Sequence, residues 1–509
     1  MKTQQSVVRS SLWYGLEIVL TLIGGMISAV IVANHFGPER LYHFLWVSWL
    51  ANVSGLMGTA GLPMTVQKYV AEFLGKQDKP TALAVFTTAT RIQFGIGLTT
   101  VAVGLALVIL FIPDDQKLAS ALLVISILPR ILAFMPSQIN MAFEDWKANV
   151  PGSIAGSFLQ IGLTLGAVSL KLDLWAVALA MLTGYTLEVT MKMISAWRRF
   201  AGVTATRLDP ELRARMIRFS TQGFGLLLLN LIVWDRSDIV FLKYLNNDKT
   251  QLAFFSQAFT LTERLLMLPQ IVGSPLSLVL LGQAGRDLGR LRSMTTLAGL
   301  YLAVLSLPIL VGAAAVGPAA WALLYKPEWA RAVPVLVTMI LLAIPRAVVY
   351  PAQQMLRAEE RQDILLKIGW SAAFLNLALD ALLVPGLGAL GAAIGNGCAQ
   401  ASSAVATWFL VWRMYRIDVP FSALGRLSLS SAVMAAVASA IVRWLPPAVA
   451  LPLGVTIGFV VFVLMLRWLR VLGPQDRARL LAAAGGIPPV ARPAFVRLLD
   501  VTIPAAAPA

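Results

Sequence analysis

Residues 297–316 read LAGLYLAVLSLPILVGAAAV, a run without a single charged side chain. A transmembrane helix needs about 20 mainly apolar residues, because a rise of about 1.5 Å per residue must cross about 30 Å of hydrocarbon. The run is rich in Leu, Ala and Gly and does not alternate between polar and apolar residues, as a strand of a membrane β-barrel would. It therefore predicts a membrane-spanning helix.

Runs of this kind recur along nearly the whole chain of 509 residues. Hydrophobic residues make up 58% of the sequence and charged residues only 13%, which is too apolar for an ordinary soluble domain. The sequence therefore predicts an all-α membrane protein with about fourteen transmembrane helices. The predicted spans are residues 11–33, 41–62, 82–112, 118–141, 151–170, 174–196, 219–245, 252–281, 294–316, 332–356, 364–384, 388–415, 427–445 and 449–469.

The distribution of positive charge sets the predicted topology. Most of the 41 Lys and Arg residues fall in loops on one side of the membrane when the N-terminus is placed in the cytoplasm. This bias predicts an even number of helices and two cytoplasmic termini. It also accounts for the net charge of +16 without a nucleic-acid partner.

The predicted spans divide the chain into two lobes. Residues 1–200 form the predicted N-lobe of six helices, and residues 219–416 form the predicted C-lobe of six more. The basic stretch 201–218 is the predicted cytoplasmic linker between them. Helices 13 and 14 follow in 417–472, and the tail 473–509 is predicted to be disordered and cytoplasmic, because it is rich in Pro, Ala and Gly.

The two lobes show a weak internal repeat. Asn34-His35-Phe36-Gly37 follows the first helix, and Tyr244-Leu245-Asn246-Asn247 follows the seventh. Repeats of six helices would lie in the membrane with the same orientation, and a cavity between the lobes would follow. Within the lobes, close helix packing is predicted at small-xxx-small pairs. These pairs are Gly152 with Gly156, Gly162 with Gly166, and Gly391 with Gly395.

Five arginines interrupt the predicted spans. An ionised residue at the bilayer centre is unfavourable by about 2.5 to 3.5 kcal/mol on insertion scales, so each needs a partner or a wet cavity. We predict that they line a cationic chamber for an anionic substrate, since a guanidinium stays charged and binds phosphate through a fork of donors. Structural ion pairs are the alternative. The predicted substrate-binding residues are Arg91, Arg130, Arg236, Arg264 and Arg346, with Thr87 and Gln93 on the polar face of helix 3.

Acidic residues in the spans are candidates for pairing with these arginines or for ion coupling. They are Glu17, Asp235, Asp238, Glu263 and Asp380. Coupling to H+ or Na+ would give the protein an energy source, since the chain has no GxxxxGK[ST] phosphate loop for ATP.

Prolines mark where the chamber is expected. Pro129 directly precedes Arg130, and Pro345 directly precedes Arg346. Proline breaks the helical hydrogen-bond ladder, and broken backbone at membrane depth is tolerated where it lines a cavity. For a threonine near such a site, the alternative to substrate binding is a hydrogen bond from its hydroxyl to a backbone carbonyl of its own helix.

The sequence shows no catalytic constellation. His35 and His43 are its two histidines and Cys398 is its one cysteine, so neither an HExxH motif nor a cysteine metal cluster is present. We predict a protein that is not an enzyme and has no resident cofactor or metal. A membrane-embedded glycosyltransferase or polymerase is a disfavoured alternative, because the longest internal loop is basic rather than acidic.

Several short motifs resemble those of the Wzx-type polysaccharide flippases, whose superfamily also contains lipid II flippases and multidrug and toxin extrusion antiporters. The motifs occur in the expected order. They are Ala33-Asn34-His35-Phe36-Gly37, Gly58-Thr59-Ala60-Gly61-Leu62-Pro63, Lys68-Tyr69-Val70-Ala71-Glu72, Asp235-Arg236-Ser237-Asp238 and Gly388-Ala389-Leu390-Gly391-Ala392-Ala393-Ile394.

The resemblance implies two six-helix lobes in a V plus two C-terminal helices. It implies alternating access in the bacterial inner membrane for a polyprenyl-pyrophosphate-linked oligosaccharide, with membrane lipid, a polysaccharide polymerase and glycosyltransferases as partners. A lipid II flippase is one alternative, disfavoured because helix 1 carries Glu17 where those flippases have a cationic residue. A cation-coupled multidrug antiporter is the other, disfavoured by the buried arginines.

Overall fold

The computed structural model describes the backbone of residues 2–143, 145–234, 237–281, 288–359, 361–483 and 492–503. Within those ranges it does not describe the side chains of 2–22, 146, 222–223, 225–234, 268–281 and 482–483.

The described chain is helical and contains no strand, which confirms the all-α membrane fold. Nine of its helices or helix groups are long and apolar enough to cross a membrane. The other predicted spans also lie in helices, namely α1, α9 with α10, α11 and α17 of the order below. The count of fourteen crossings stays a prediction.

The chain forms two compact units, 1–243 and 244–509. The first contains α1 (Lys2–Gly58), α2 (Leu62–Gly75), α3 (Lys79–Phe111), α4 (Asp114–Ile125), α5 (Ile127–Leu132), α6 (Phe134–Ala142), a 3-10 turn (Trp146–Asn149), α7 (Val150–Ser169), α8 (Leu174–Arg198), α9 (Pro210–Trp234) and most of α10 (Asp238–Leu245). Helix α1 joins the first two predicted spans through a kink at Gly37, whose φ of 72° is readily adopted by glycine.

The second unit contains the remaining helices. They are α11 (Thr250–Leu281), α12 (Leu288–Leu324), a 3-10 turn (Pro327–Ala332), α13 (Val333–Leu342), α14 (Ile344–Val348), α15 (Tyr350–Ala358), α16 (Gln362–Leu387), α17 (Ala389–Tyr415), α18 (Phe421–Trp444), α19 (Pro447–Trp468), α20 (Pro474–Ala483) and α21 (Arg492–Thr502).

The division between the units differs from the predicted linker at 201–218. Leu212 and Met216 of α9 are buried in a hydrophobic cluster of the first unit, together with Tyr69 and Phe86. Apolar burial therefore ties the second half of the predicted linker, and the helix that follows it, to the first unit. The basic side chains of this stretch had suggested a solvated loop, but its apolar residues recur at the i, i+4 spacing of a helix.

The C-terminal tail also differs from the prediction. Disorder was wrong for the described residues, since α20 and α21 pack on the second unit. Leu499 and Ile503 are buried in a cluster with Leu300 of α12. Arg477 pairs with Asp500 at 2.5 Å and so links the two tail helices. The Pro, Ala and Gly content of the tail hid a short amphipathic pattern that is stabilised by tertiary packing.

Glycines set the closest helix contacts, as predicted for two of the three pairs. A Cβ atom at Gly156 of α7 would lie 2.7 Å from the carbonyl oxygen of Gly184 in α8. A Cβ at Gly391 of α17 would lie 2.5 Å from the carbonyl oxygen of Leu383 in α16. At Gly162 and Gly166 a Cβ would have no neighbouring atom within 4 Å, so the packing prediction was wrong for that pair.

This contrast gives a matched test. Gly156→Leu is expected to lower the free energy of unfolding by about 1 to 3 kcal/mol, because the side chain must push α7 away from α8. Gly162→Leu, further along the same helix, is expected to leave stability nearly unchanged. Thermal unfolding of both variants in detergent checks the prediction, and equal melting temperatures would contradict it.

Candidate functional site

Two proline-broken helices place arginines inside the two units. The chain between α4 and α6 breaks at Ser126 and Ala133, each three residues before a proline. The chain between α13 and α15 breaks at Ala343 and Val349, each two residues before a proline. A proline has no N–H group to donate to the carbonyl one turn earlier, which interrupts the ladder. Arg130 and Arg346 therefore both lie on a short middle helix, α5 or α14.

Arg346 of the second unit is held in a polar network. Its guanidinium donates to both carboxylate oxygens of Glu263 in α11, at 2.5 and 3.2 Å. It also donates to Oε1 of Gln400 in α17 at 2.9 Å, and the Gln400 amide donates to Asn396 at 2.7 Å. The adjacent cavity, lined in part by Glu263, Asn396 and Gln400, has a volume of about 20 Å³. The structural alternative, an interhelical ion pair, therefore describes the geometry of this arginine.

Arg130 of the first unit has a different environment. Its guanidinium carbon lies 5.6 Å from the ring centre of Tyr185 in α8, and both side chains are half-buried. Among the residues that the structure describes, no carboxylate lies within ion-pair distance of it. A cation–π contact does not pair the N–H donors of a guanidinium with an acceptor, so Arg130 can still donate hydrogen bonds to an anion.

Arg91 is exposed on α3. Thr88 and Gly95 share its face at helical spacing, and so do Phe94 and Leu98, which are exposed. The face that carries Arg91 therefore combines small, polar and large apolar residues.

The other two arginines are less defined. Arg264 is half-buried on α11, next in sequence to Glu263. Arg236 lies outside the described residues.

Thr87 and Gln93 fit packing better than substrate binding. The Thr87 hydroxyl donates to the backbone carbonyls of Leu83 and Ala84 in its own helix, at 2.9 and 3.2 Å. Gln93 is fully buried, and its amide donates to the carbonyl of Gly58 at 3.1 Å, which links α3 to α1. Because the side chains of both residues already donate these hydrogen bonds, they are not placed to bind a cargo in this conformation.

The candidate coupling acids are unevenly placed. Asp380 of α16 is fully buried, and Asn376 one turn earlier donates to it at 3.4 Å. Gly395 of α17 makes room for this carboxylate, since a Cβ there would lie 2.6 Å from Asp380 Oδ1. Asp238 is fully buried in α10 of the first unit. Asp235 and the Glu17 side chain lie outside the described residues.

Sequence analysis missed the amides and the aromatic ring that surround these charges. Tyr185, Gln400, Asn376 and Asn396 were not predicted as site residues, yet all lie beside a predicted one. One signal was present in the sequence. Tyr185 and Gln400 both lie twelve residues before a Trp-Arg pair near the C-terminal end of their helix.

Larger cavities in the second unit are apolar. One of about 420 Å³ is lined by α12, α14, α17 and α18, and one of about 600 Å³ by α12, α18, α19 and the two tail helices. Neither is lined by an arginine. They suit hydrocarbon rather than an anionic headgroup.

The loop before α11, on the predicted outer side of the membrane, contains Asp248. We call this carboxylate and its hydrogen-bond donors the clamp. Burial acts to raise the pKa of Asp248, but the hydrogen bonds that it accepts outweigh burial and lower that pKa to about 2. The donors are the Thr250 hydroxyl and backbone N–H, the Gln251 amide and Arg331. Gln251 also accepts a bond from the Ala389 N–H at 3.0 Å, which extends the clamp to α17.

A carboxyl with a depressed pKa stabilises the fold above its unfolded pKa and loses that effect as the pH falls toward the folded value. Asp248→Asn is therefore expected to lower stability by about 1 kcal/mol at pH 7, a figure reduced for its partial exposure. The difference from the unchanged chain should shrink only below pH 4. Asp418→Asn, at an exposed loop position, is the control. A deficit in melting temperature that disappears already between pH 7 and 5 would contradict this prediction.

Comparisons with solved structures identify the fold. The inward closed lipid II flippase MurJ superposes with a TM-score of 0.72 and 15% sequence identity, covering 89% of this chain and 98% of that one. An inward-facing multidrug resistance MATE family transporter gives a TM-score of 0.66 at 15% identity, covering 78% of this chain and 94% of that one. At these identities the likeness concerns the fold alone.

A third structure, a MOP superfamily transporter from Pyrococcus furiosus, gives a TM-score of 0.60 at 15% identity, over 81% of this chain and 95% of that one. No curated protein sequence matches this chain significantly. A family model described as polysaccharide biosynthesis protein matches residues 66–334, more than half of the chain. The chain is therefore a multi-pass membrane protein with the fold shared by these transporters, and it belongs to the polysaccharide biosynthesis protein family.

Proposed function

We propose that the protein is a flippase that moves a polyprenyl-pyrophosphate-linked oligosaccharide from the cytoplasmic to the outer leaflet of a bacterial inner membrane. The cargo would then serve surface polysaccharide assembly. Family membership supports the glycan class, and the fold supports alternating access as the mode of transport. The single observation that carries the anionic cargo is the presence of arginines on faces of membrane helices where no carboxylate neutralises them among the described residues.

Arg91 and Arg130 are those arginines. Arg91 is exposed on α3, and the Arg130 guanidinium lies over the ring of Tyr185 with no described carboxylate within ion-pair distance. A pyrophosphate offers several acceptor oxygens, and charge-assisted bonds from guanidinium groups are the strongest that neutral pH allows. The apolar cavities of about 420 and 600 Å³ in the second unit are compatible with the hydrocarbon chain of the polyprenyl lipid.

Ion coupling is proposed at Asp380. Its carboxylate is fully buried beside Gly395 of α17, and the Asn376 amide donates to it. Uptake of a proton or of a cation such as Na+ by a buried carboxylate changes the local charge that the fold must hold. Asp380→Asn is expected to uncouple transport from that ion.

Membrane orientation follows from the charge bias, with both termini in the cytoplasm. Functional partners would be the glycosyltransferases that build the lipid-linked glycan and a polymerase that consumes it. A cation-coupled multidrug antiporter is the second candidate, favoured by the MATE-like fold and by the half-buried carboxylate of Glu263 and the buried carboxylate of Asp380.

Loss of the gene separates these candidates. We expect its deletion to remove surface polysaccharide and to accumulate lipid-linked oligosaccharide that an impermeant glycosidase cannot reach in intact spheroplasts. A plasmid copy should restore both. Intact surface polysaccharide combined with increased drug susceptibility would contradict the flippase proposal and favour the antiporter.

A further inference from the structure

The Pro-Arg pairs occupy equivalent positions of an internal repeat. Pro129-Arg130 and Pro345-Arg346 each lie on the middle one of three short helices. The first of these, α5, packs on the long helix α8, and the second, α14, packs on the long helix α17. Each long helix carries a Trp-Arg pair near its C-terminal end, at Trp197-Arg198 and Trp412-Arg413.

The residues that the two arginines contact are also equivalent. Counting twelve residues back from the tryptophan reaches Tyr185 in α8 and Gln400 in α17. Tyr185 is the residue over which Arg130 lies, and Gln400 accepts a hydrogen bond from Arg346. The repeat therefore keeps the geometry and changes the chemistry of the partner.

The change in chemistry decides what each guanidinium can do. Arg346 donates to both oxygens of Glu263, which is the bidentate arrangement that a phosphate would otherwise receive. The cavity beside it, about 20 Å³, holds about one water molecule and cannot admit a pyrophosphate. Arg130 lies over the Tyr185 ring with no described carboxylate within ion-pair distance, and both side chains are half-buried.

We propose that the two arginines of the repeat have separate roles. Arg130 binds the pyrophosphate, Tyr185 is the positioning residue that holds its guanidinium in place, and Arg346 is an internal tie between α14, α11 and α17. This inference rests on the proposed flippase function and deepens it, because it assigns the anion contact of the repeat to the first unit.

Farnesyl pyrophosphate is the probe for this assignment, added to the purified full-length protein in detergent. Arg130→Ala and Tyr185→Ala are expected to weaken its binding at least tenfold. Tyr185→Phe keeps the ring and is expected to bind within twofold of the unchanged chain. A role of Tyr185 in folding alone would lower the melting temperature without this selective rescue by phenylalanine.

Arg346 is tested by removing both charges together. Arg346→Met alone is expected to lower the melting temperature, because it leaves the Glu263 carboxylate without its guanidinium. Adding Glu263→Met should restore the melting temperature, since an ion pair can be replaced by apolar side chains of similar volume. The double variant is expected to bind farnesyl pyrophosphate within threefold of the unchanged chain.

Two results would overturn the assignment. One is a folded Arg130→Ala protein with unchanged binding, and the other is a double variant that regains its melting temperature but loses binding. An unchanged chain that binds farnesyl pyrophosphate no better than farnesol would instead overturn the proposed function, and the assignment with it.

Discussion

Arg91→Ala is expected to lower the rate of glycan export about 10- to 150-fold while the protein stays folded. Each hydrogen bond from a charged group to a partner contributes about 1.5 to 3 kcal/mol, and that range corresponds to the stated loss of rate. Arg91 is exposed on α3, so its truncation removes charge without opening a cavity in the core. The measurement is surface polysaccharide formed by a deletion strain that carries the variant.

Arg443→Ala is the matched control. Arg443 is exposed at the predicted outer end of α18, and its loss should leave export unchanged. Arg264→Ala should resemble Arg91→Ala if the chamber extends to α11. Normal export in both the Arg91 and the Arg264 variants, at equal protein levels, would remove the support for an anionic cargo.

Gly61→Ala is expected to destabilise the first unit by about 2 to 5 kcal/mol. Gly61 has a φ of 72°, and an alanine Cβ would lie 2.4 Å from the carbonyl oxygen of Ser220. The left-handed conformation is unfavourable by about 1 to 2 kcal/mol for a residue with a Cβ, and the clash adds about 1 to 3 kcal/mol. Ser220 is already fixed there, because its hydroxyl donates to the carbonyl of Ala60 at 2.6 Å.

Gly202→Ala separates the two contributions. Gly202 has a φ of 74°, but nothing lies within 4 Å of a Cβ at that position. Gly202→Ala should therefore lower the free energy of unfolding only by the cost of the left-handed conformation, about 1 to 2 kcal/mol. Denaturant unfolding in detergent, followed by tryptophan fluorescence, gives both values. If both variants lost the same free energy of unfolding, this would contradict the close packing of α9 against the turn at Gly61.

Local sequence patterns predicted the helical fold because burial in lipid demands long apolar runs, and these are visible one segment at a time. The Pro-Arg pairs of α5 and α14 were visible for a similar reason, since both proline and buried charge are unusual within a span. The partners of these arginines were not predictable in the same way. Tyr185 and Glu263 are ordinary residues of long helices, and only tertiary packing brings them to Arg130 and Arg346.

The differences between prediction and structure at the linker and at the tail have a common physical cause. The linker 201–218 and the tail 473–509 are more polar than the spans, so composition suggested solvated chain. Their few apolar residues nonetheless recur at helical spacing and find apolar surfaces, as Met216 does in the first unit and Leu499 in the second. Short amphipathic helices of this kind depend on tertiary contacts, which the sequence of the segment alone does not show.

Reconstitution tests the central claim most directly. Proteoliposomes would carry a polyprenyl-pyrophosphate-linked oligosaccharide, and an externally added glycosidase would report how fast the inner-leaflet pool becomes accessible. We expect the unchanged protein to expose that pool far faster than protein-free liposomes do, and Arg91→Ala to fall close to the protein-free rate. The account would be contradicted if the inner-leaflet pool became accessible at the same rate with and without the unchanged protein, in liposomes where that protein moves a cationic drug.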